Sequence, residues 1–297
     1  MTMFNIITRG DFDGLVCSVL LTEAEQISKI RFAHPKEMQE GSIEVTSQDI
    51  IVNLPYHKDC GMWFDHHISE AERGSKPGSF KGKYGLAPSC ARLVYEHYNK
   101  PEWAEKYAGL MEAVDKVDSA NLTLNDILRP SGWVKIAATV DPRSGFPPSY
   151  DYFLNLLDWI KEQTVEEIVE NDAVRDRGRE YFRQQESFKE VLQENSTLYG
   201  KVVVSDFRRK LASPVGSRFL IYSLFPSANV ALRLFDSPDK KNVVIAAGHS
   251  ILNRTCKVDL GNLMAEYGGG GHMGAATCTL SSDMVDDAVG DIIERLK

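Results

Sequence analysis

An α/β fold is the class this sequence predicts: an N-terminal domain with a mostly parallel sheet and helices on both faces, then a smaller C-terminal α/β domain. Three observations point there. The 297 residues exceed the roughly 100–200 that one domain takes, which sets a prior of two. Short apolar runs alternate with segments of helical period, the pattern of a parallel sheet with crossover helices. A charge-rich, proline-free stretch at residues 151–195 then separates this pattern from a second set of strand signals. The domains are therefore expected at 1–195 and 196–297.

Taken in order, "FNIITRG" (4–10) reads as a buried strand and a glycine-bearing turn. "GLVCSVLLTEAEQIS" (14–28) has apolar residues at helical spacing. "DIIVNLP" (49–55) and "GMWFDHH" (61–67) are strand-like runs that end in polar residues. "LAPSCARLVYEHYNK" and "PEWAEKYAGLMEAVDKVDSA" read as helices, as does most of 151–195. Strands return in "LYGKVVVSDF", "NVALRLFD", "KNVVIAAGHS" and "AATCTLS", with helical patterns at 217–225, 259–267 and 283–296. In such sheets, sites form beyond the carboxyl ends of the strands. The turn at 9–14 and the Asp65 cluster both fall at such ends and are expected side by side.

A hydrophobic fraction of 43% and a charged fraction of 26% match an ordinary soluble protein with a substantial core. The net charge of −8 argues against a long duplex nucleic acid, which favours a basic face, and leaves room for a small anion held beside a cation. Five cysteines, with no CxxC pair, suit a reducing compartment and read as small buried hydrophobes. The N-terminus lacks a charged region followed by an apolar run, and no segment approaches the ~20 apolar residues of a membrane span. A soluble, cytoplasmic protein with no membrane partner is expected. Oligomeric state is not readable, and a homo-oligomer is compatible.

Four motifs carry chemistry. In "TRGDFDGLVCS", Asp11 and Asp13 lie one residue apart on a turn. Paired carboxylates suit a divalent cation that takes hard oxygen ligands, although turns are rich in Asp and Gly anyway. In Asp65-His66-His67, adjacent side chains point to opposite faces of a strand. Both imidazoles serve one site only if the strand ends there, and Asp65 is placed to orient an imidazole. In "MEAVDKVDSANLT", Asp115 and Asp118 share a helix face. In "AEYGGGGHMGAATC", Gly268, Gly269, Gly270 and Gly271 precede His272. Their backbone amides can approach an anion closely, as in a phosphate cradle.

These signals, in this order, resemble the DHH phosphoesterase superfamily, which includes inorganic pyrophosphatases, exopolyphosphatases, single-strand-specific exonucleases and oligoribonuclease-like enzymes. "VNLPYH" and "PVGSRFLIYSLFP" are most similar to its exopolyphosphatase-related branch. The resemblance covers nearly the whole chain. It implies a metal domain, a substrate domain and a cleft between them. Asp13 and His66 match the family's second metal site, and Asp118, followed by Ser119, matches its later Asp, with Asp115 as the alternative. Asp11 matches a ligand of the first site, and His67 a residue facing the scissile phosphate. Arg254, the glycine run and His272 match positions that hold the substrate.

Two positions depart from the family pattern. Arg9 stands where a His often precedes the first Asp, and Asn53 where an Asp bridges two metals. Arg cannot ligate a cation, and Asn is a neutral donor. Asp11, Asp13 and Asp118 with Arg9 carry a charge that one divalent ion neutralises, so one ion is expected and not two. The mixed carboxylate and imidazole donors favour manganese over magnesium. The expected function is metal-dependent hydrolysis of a phosphoester or phosphoanhydride in a small phosphorylated substrate. The rival is a degenerate relative that binds such a ligand without hydrolysis.

Overall fold

The computed structural model describes residues 3–67, 78–142, 145–146, 149–208, 215–237 and 240–297. Residues 68–77, following the DHH triplet, and Pro214 of the branch-like stretch lie outside the described residues. The chain divides into two compact units, Met1–Asn121 with Pro130–Arg179, and Leu122–Arg129 with Glu180–Lys297. They part within a helix, α10 (Asp172–Asn195), and not at its end.

The first unit is built on β1 (Phe4–Thr8), β2 (Ile27–Phe32), β3 (Asp49–Val52), β4 (Met62–Asp65) and β5 (Gly82–Tyr84). Among the described residues they form one sheet in the order β2-β1-β3-β4-β5, with every pairing parallel. Strand alternation explains how both faces are buried. Ile6, Ile50, Val52, Met62 and Phe64 face one core. There they meet α1 (Phe12–Ala24), α3 (Cys90–Tyr98), α5 (Ala108–Asp118), α7 (Gly132–Val140) and α8 (Tyr150–Glu162). Ile7, Ile51 and Trp63 face the other, closed by Met38 of the short helix α2 (Pro35–Gln39), Val45 and Leu54. A sheet covered on both faces needs continuous apolar strands, and "NIIT", "IIV" and "MWF" supply them. Between α3 and α5 lies α4 (Trp103–Lys106), so residues 101–120 form two helices where one was expected. Two more short helices are α6 (Leu124–Leu128), which belongs to the second unit, and α9 (Val165–Glu170).

The second unit contains β6 (Ser196–Tyr199), β7 (Val202–Asp206), β8 (Val230–Asp236), β9 (Asn242–His249), β10 (Gly270–His272) and β11 (Ala275–Ser281). Their order is β10-β11-β9-β8-β7-β6. The β7–β8 pairing is parallel and the others are antiparallel. Val202, Leu232 and Ile245 pack one face against α12 (Leu260–Ala265) and α13 (Val285–Leu296). Val203 and Ala231 pack the other against α11 (Leu220–Leu224) and Phe188 and Leu192 of α10. The expected single strand at 198–207 is a hairpin, turned at Gly200 with φ 64°. Among the described residues no helix is long and apolar enough to cross a membrane.

Candidate active site

Strand order reverses between β1 and β3, because β2 lies on one side of β1 and β3 on the other. The crevice beyond the carboxyl ends at such a switch point is where open α/β sheets bind ligands. Asp11 and Asp13 follow β1, and Asn53 follows β3. Asp11 caps α1, its Oδ1 accepting the Gly14 amide at 3.0 Å. Asp13 begins the buried side of α1 and is 2% exposed. Its carboxylate accepts the Cys90 amide on Oδ2 at 2.9 Å and the Ala91 amide on Oδ1 at 2.8 Å. Those amides open α3, and a helix N-terminus favours a negative charge. Ser89 is the N-cap of α3.

Strand β4 ends at Asp65, so the alternation of faces stops there and both imidazoles reach one region. Their ring centroids are 4.6 Å apart. His66 Nδ1 lies 3.1 Å from the Ala87 carbonyl. A carbonyl only accepts, so Nδ1 carries the hydrogen and the lone pair of the neutral ring is on Nε2. That Nε2 is 3.1 Å from Asp118 Oδ2 and 3.8 Å from Asp13 Oδ2, yet it is buried without an aligned hydrogen-bond partner among the described residues. Asp13, His66 and Asp118 each offer a donor atom within 4.8 Å of the others. One imidazole lone pair and two carboxylates converging on one point fit a divalent cation. His67 Nδ1 donates to Asp65 Oδ1 at 2.7 Å, and Asp65 is 1% exposed.

The charges in this group act on one another. Burial, then the nearby Asp118 carboxylate, pushes the Asp13 carboxyl up to about 7, against the pull of His66 and the Ala91 amide. Burial pulls His66 down, but Asp118 and Asp13 outweigh it and raise the imidazole to about 9. A proton on His66 thus acts as the counter-charge to both acids. His67 is also raised, with Asp65 outweighing its burial.

The other candidates are not among the donors of this trio. Asp115 is turned away from the trio: its Oδ1 accepts Ser89 Oγ at 2.6 Å and its Oδ2 accepts Arg92 Nε at 2.9 Å. Asp11 pairs with Arg9, whose Nε is 3.0 Å from Oδ2, and accepts Asn53 Nδ2 at 3.1 Å. In the second unit Arg254 is exposed, with Nε donating to the Ile251 carbonyl at 3.0 Å. The glycine run is not all loop. Gly270 and Gly271, with His272, make up β10, paired with Thr277, Ala276 and Ala275 of β11. Gly268 takes φ 74° and Gly271 φ 155°. A Cβ on Gly269 would meet the Thr277 carbonyl oxygen at 2.0 Å, whereas one on Gly270 meets nothing within 4 Å. His272 Nδ1 accepts the Gly274 amide at 3.1 Å.

No family model matches the chain, and no curated protein does. Among solved structures, the pGpG-specific phosphodiesterase PggH from Vibrio cholerae is 36% identical, with TM-score 0.83, over 99% of this chain and 98% of that one. The chain belongs to the DHH phosphoesterase superfamily. The manganese complex of RecJ from Thermus thermophilus also matches, at 11% identity over 99% of this chain and 52% of that one. Its TM-score is 0.48.

In this DHH phosphoesterase, sequence reasoning missed the segment that seats the acid. Ala87 fixes the His66 tautomer, and the Cys90 and Ala91 amides hold Asp13. Backbone groups leave no mark on residue type. The available signal was Ser89, a residue favoured at N-caps, just before the helical run.

Proposed function

We propose that the chain hydrolyses the phosphodiester bond of a short linear diribonucleotide of the pGpG type, using a divalent cation held by Asp13, His66 and Asp118. The observation that carries this reading is the end-to-end likeness to a phosphodiesterase of that specificity. A divalent cation there would polarise a phosphoryl oxygen and acidify water. His67, whose Nδ1–H is held by Asp65, would as the imidazolium donate a hydrogen bond from Nε2 to a phosphate oxygen. The second unit is assigned the grip on the substrate through Arg254, His272 and the backbone of Gly268, Gly269, Gly270 and Gly271. Manganese is the preferred ion, because imidazole joins hard oxygens in the donor set. Five free cysteines fit a reducing, cytoplasmic setting.

Incubation with manganese and pGpG, with products resolved by anion-exchange chromatography, should yield guanosine monophosphate. Polyphosphate and pyrophosphate should stay intact. Phosphate released from polyphosphate while pGpG survives would reject the assignment.

Cation affinity should rise with pH. The His66 proton is held up to about 9 and must leave before Nε2 can ligate. Below that value a cation competes with it, and affinity gains about tenfold per pH unit for each proton displaced. Asp13, raised to about 7, steepens the slope further below neutrality. Manganese titrations at pH 6 and 8, in buffers of differing ionisation enthalpy, should show release of about one proton per ion at pH 8. No release would mean that His66 is not a ligand.

A further inference from the structure

The two acids after β1 do different work. Asp13 faces His66 and Asp118, and Asp11 does not join them. Asp11 Oδ1 accepts the Gly14 amide at 3.0 Å and Asn53 Nδ2 at 3.1 Å, and its Oδ2 lies 3.0 Å from Arg9 Nε. A cation binds lone pairs. The groups around this carboxylate are N–H donors, and a guanidinium keeps its charge at any physiological pH. Asn53 is 1% exposed, and its Oδ1 is buried without a hydrogen-bond partner among the described residues; turning its amide would set that oxygen against the Asp11 carboxylate. The surroundings of Asp11 therefore do not fit a second divalent ion.

They fit a resident cation. The Arg9 side chain is 33% exposed. Its Nε lies 3.0 Å from Asp11 Oδ2. Arg9 precedes Asp11 at the switch-point end of β1, two residues beyond the strand's buried Ile7. Beyond Nε the planar guanidinium carries two further nitrogens, and such a fork matches two oxygens of a phosphate.

We propose that Arg9 takes the place of a second metal ion: held by Asp11, it binds non-bridging oxygens of the substrate phosphate, and the enzyme works with one divalent ion. This rests on the reading of the Asp13 trio as a cation site in a phosphodiesterase. The formal charges agree. Asp11, Asp13 and Asp118 total minus three, and Arg9 with one divalent ion totals plus three. A second ion beside Arg9 would leave the site positive.

Two independent readouts test this. The first is the ion count, by equilibrium dialysis against manganese and elemental analysis. The wild-type chain and the single variants Arg9→His and Asn53→Asp should each hold one ion. The double variant, which restores an imidazole and a carboxylate and removes the guanidinium, should hold two. The second readout is the kinetics of Arg9→Ala on pGpG. Its KM should rise about tenfold or more, the scale of a lost charge-assisted hydrogen-bond pair, while it still holds one manganese ion. Added guanidinium ion should recover part of the loss, which a purely structural arginine would not allow. Two ions on the wild-type chain overturn the proposal, and so does an Arg9→Ala variant with unchanged KM. If the wild-type enzyme does not hydrolyse pGpG, the proposed substrate falls, and the ion count still decides the role of Arg9.

Discussion

Asp118→Asn is expected to lower manganese affinity at least a hundredfold and kcat/KM roughly a thousandfold, with little change in the stability of the metal-free protein. The side chain ends α5 and is 28% exposed, so its removal opens no buried cavity. Its charge has two opposed effects on the fold: it attracts protonated His66 at 3.1 Å and repels the buried Asp13 carboxylate. Substitution removes both, and the net change should stay within about 1 kcal/mol, as for other partly exposed pairs. Toward a cation the effects would not cancel, because one of the two carboxylates of the trio is lost. Manganese titration calorimetry and chemical denaturation in chelator measure the two sides separately. Asp115→Asn, on the same helix but paired with Arg92, should leave manganese affinity unchanged. Retained affinity in Asp118→Asn would remove the residue from the site.

The glycine run should divide sharply by position. Gly269→Ala is expected to destabilise the second unit by about 3 kcal/mol or more, since a Cβ 2.0 Å from the Thr277 carbonyl oxygen forces the backbone of β11 to move. Gly271→Ala should behave alike, with a Cβ 2.4 Å from the Ala275 carbonyl oxygen and φ 155°. Gly270→Ala should be tolerated within about 1 kcal/mol, because nothing lies within 4 Å of the added atom. Gly270→Val then isolates any role in binding: if the open amide grips phosphate, inorganic phosphate affinity falls about tenfold while the urea midpoint holds. Equal tolerance at all three positions would contradict the close approach of β10 and β11.

The central strands were legible because β1, β3 and β4 are buried on both faces and read as unbroken apolar runs. The strands that escaped notice, β2 and β5, are the edges of the sheet. Ser28 and Lys29 of β2 are exposed, so "ISKIRF" passes for the polar end of the preceding helix, and "GKY" is three residues long. α7 was missed too, its β-branched residues Val134, Ile136, Thr139 and Val140 lowering the helical signal. Within the site, side chains with distinctive chemistry announced themselves: Asp13, His66 and Asp118 do converge. Spacing alone did not choose between Asp115 and Asp118, because it says which helix face a residue shares, and not which neighbour claims its oxygens; the resemblance put Asp118 first. Arg92 claims those of Asp115 from another helix.

The trio is drawn from positions 13, 66 and 118, separated by two long stretches of chain. A cation seated there would act as a removable staple, tying the first helix, the end of β4 and the end of α5 at a single point. The folded chain would bind it and the unfolded chain far less, so the ion would stabilise the first unit by about 2.7 kcal/mol when its free concentration is a hundred times the dissociation constant. The metal supply would then govern how long the protein lasts against proteolysis as well as how fast it works, and a chelator would shorten the life of the very molecules it silences.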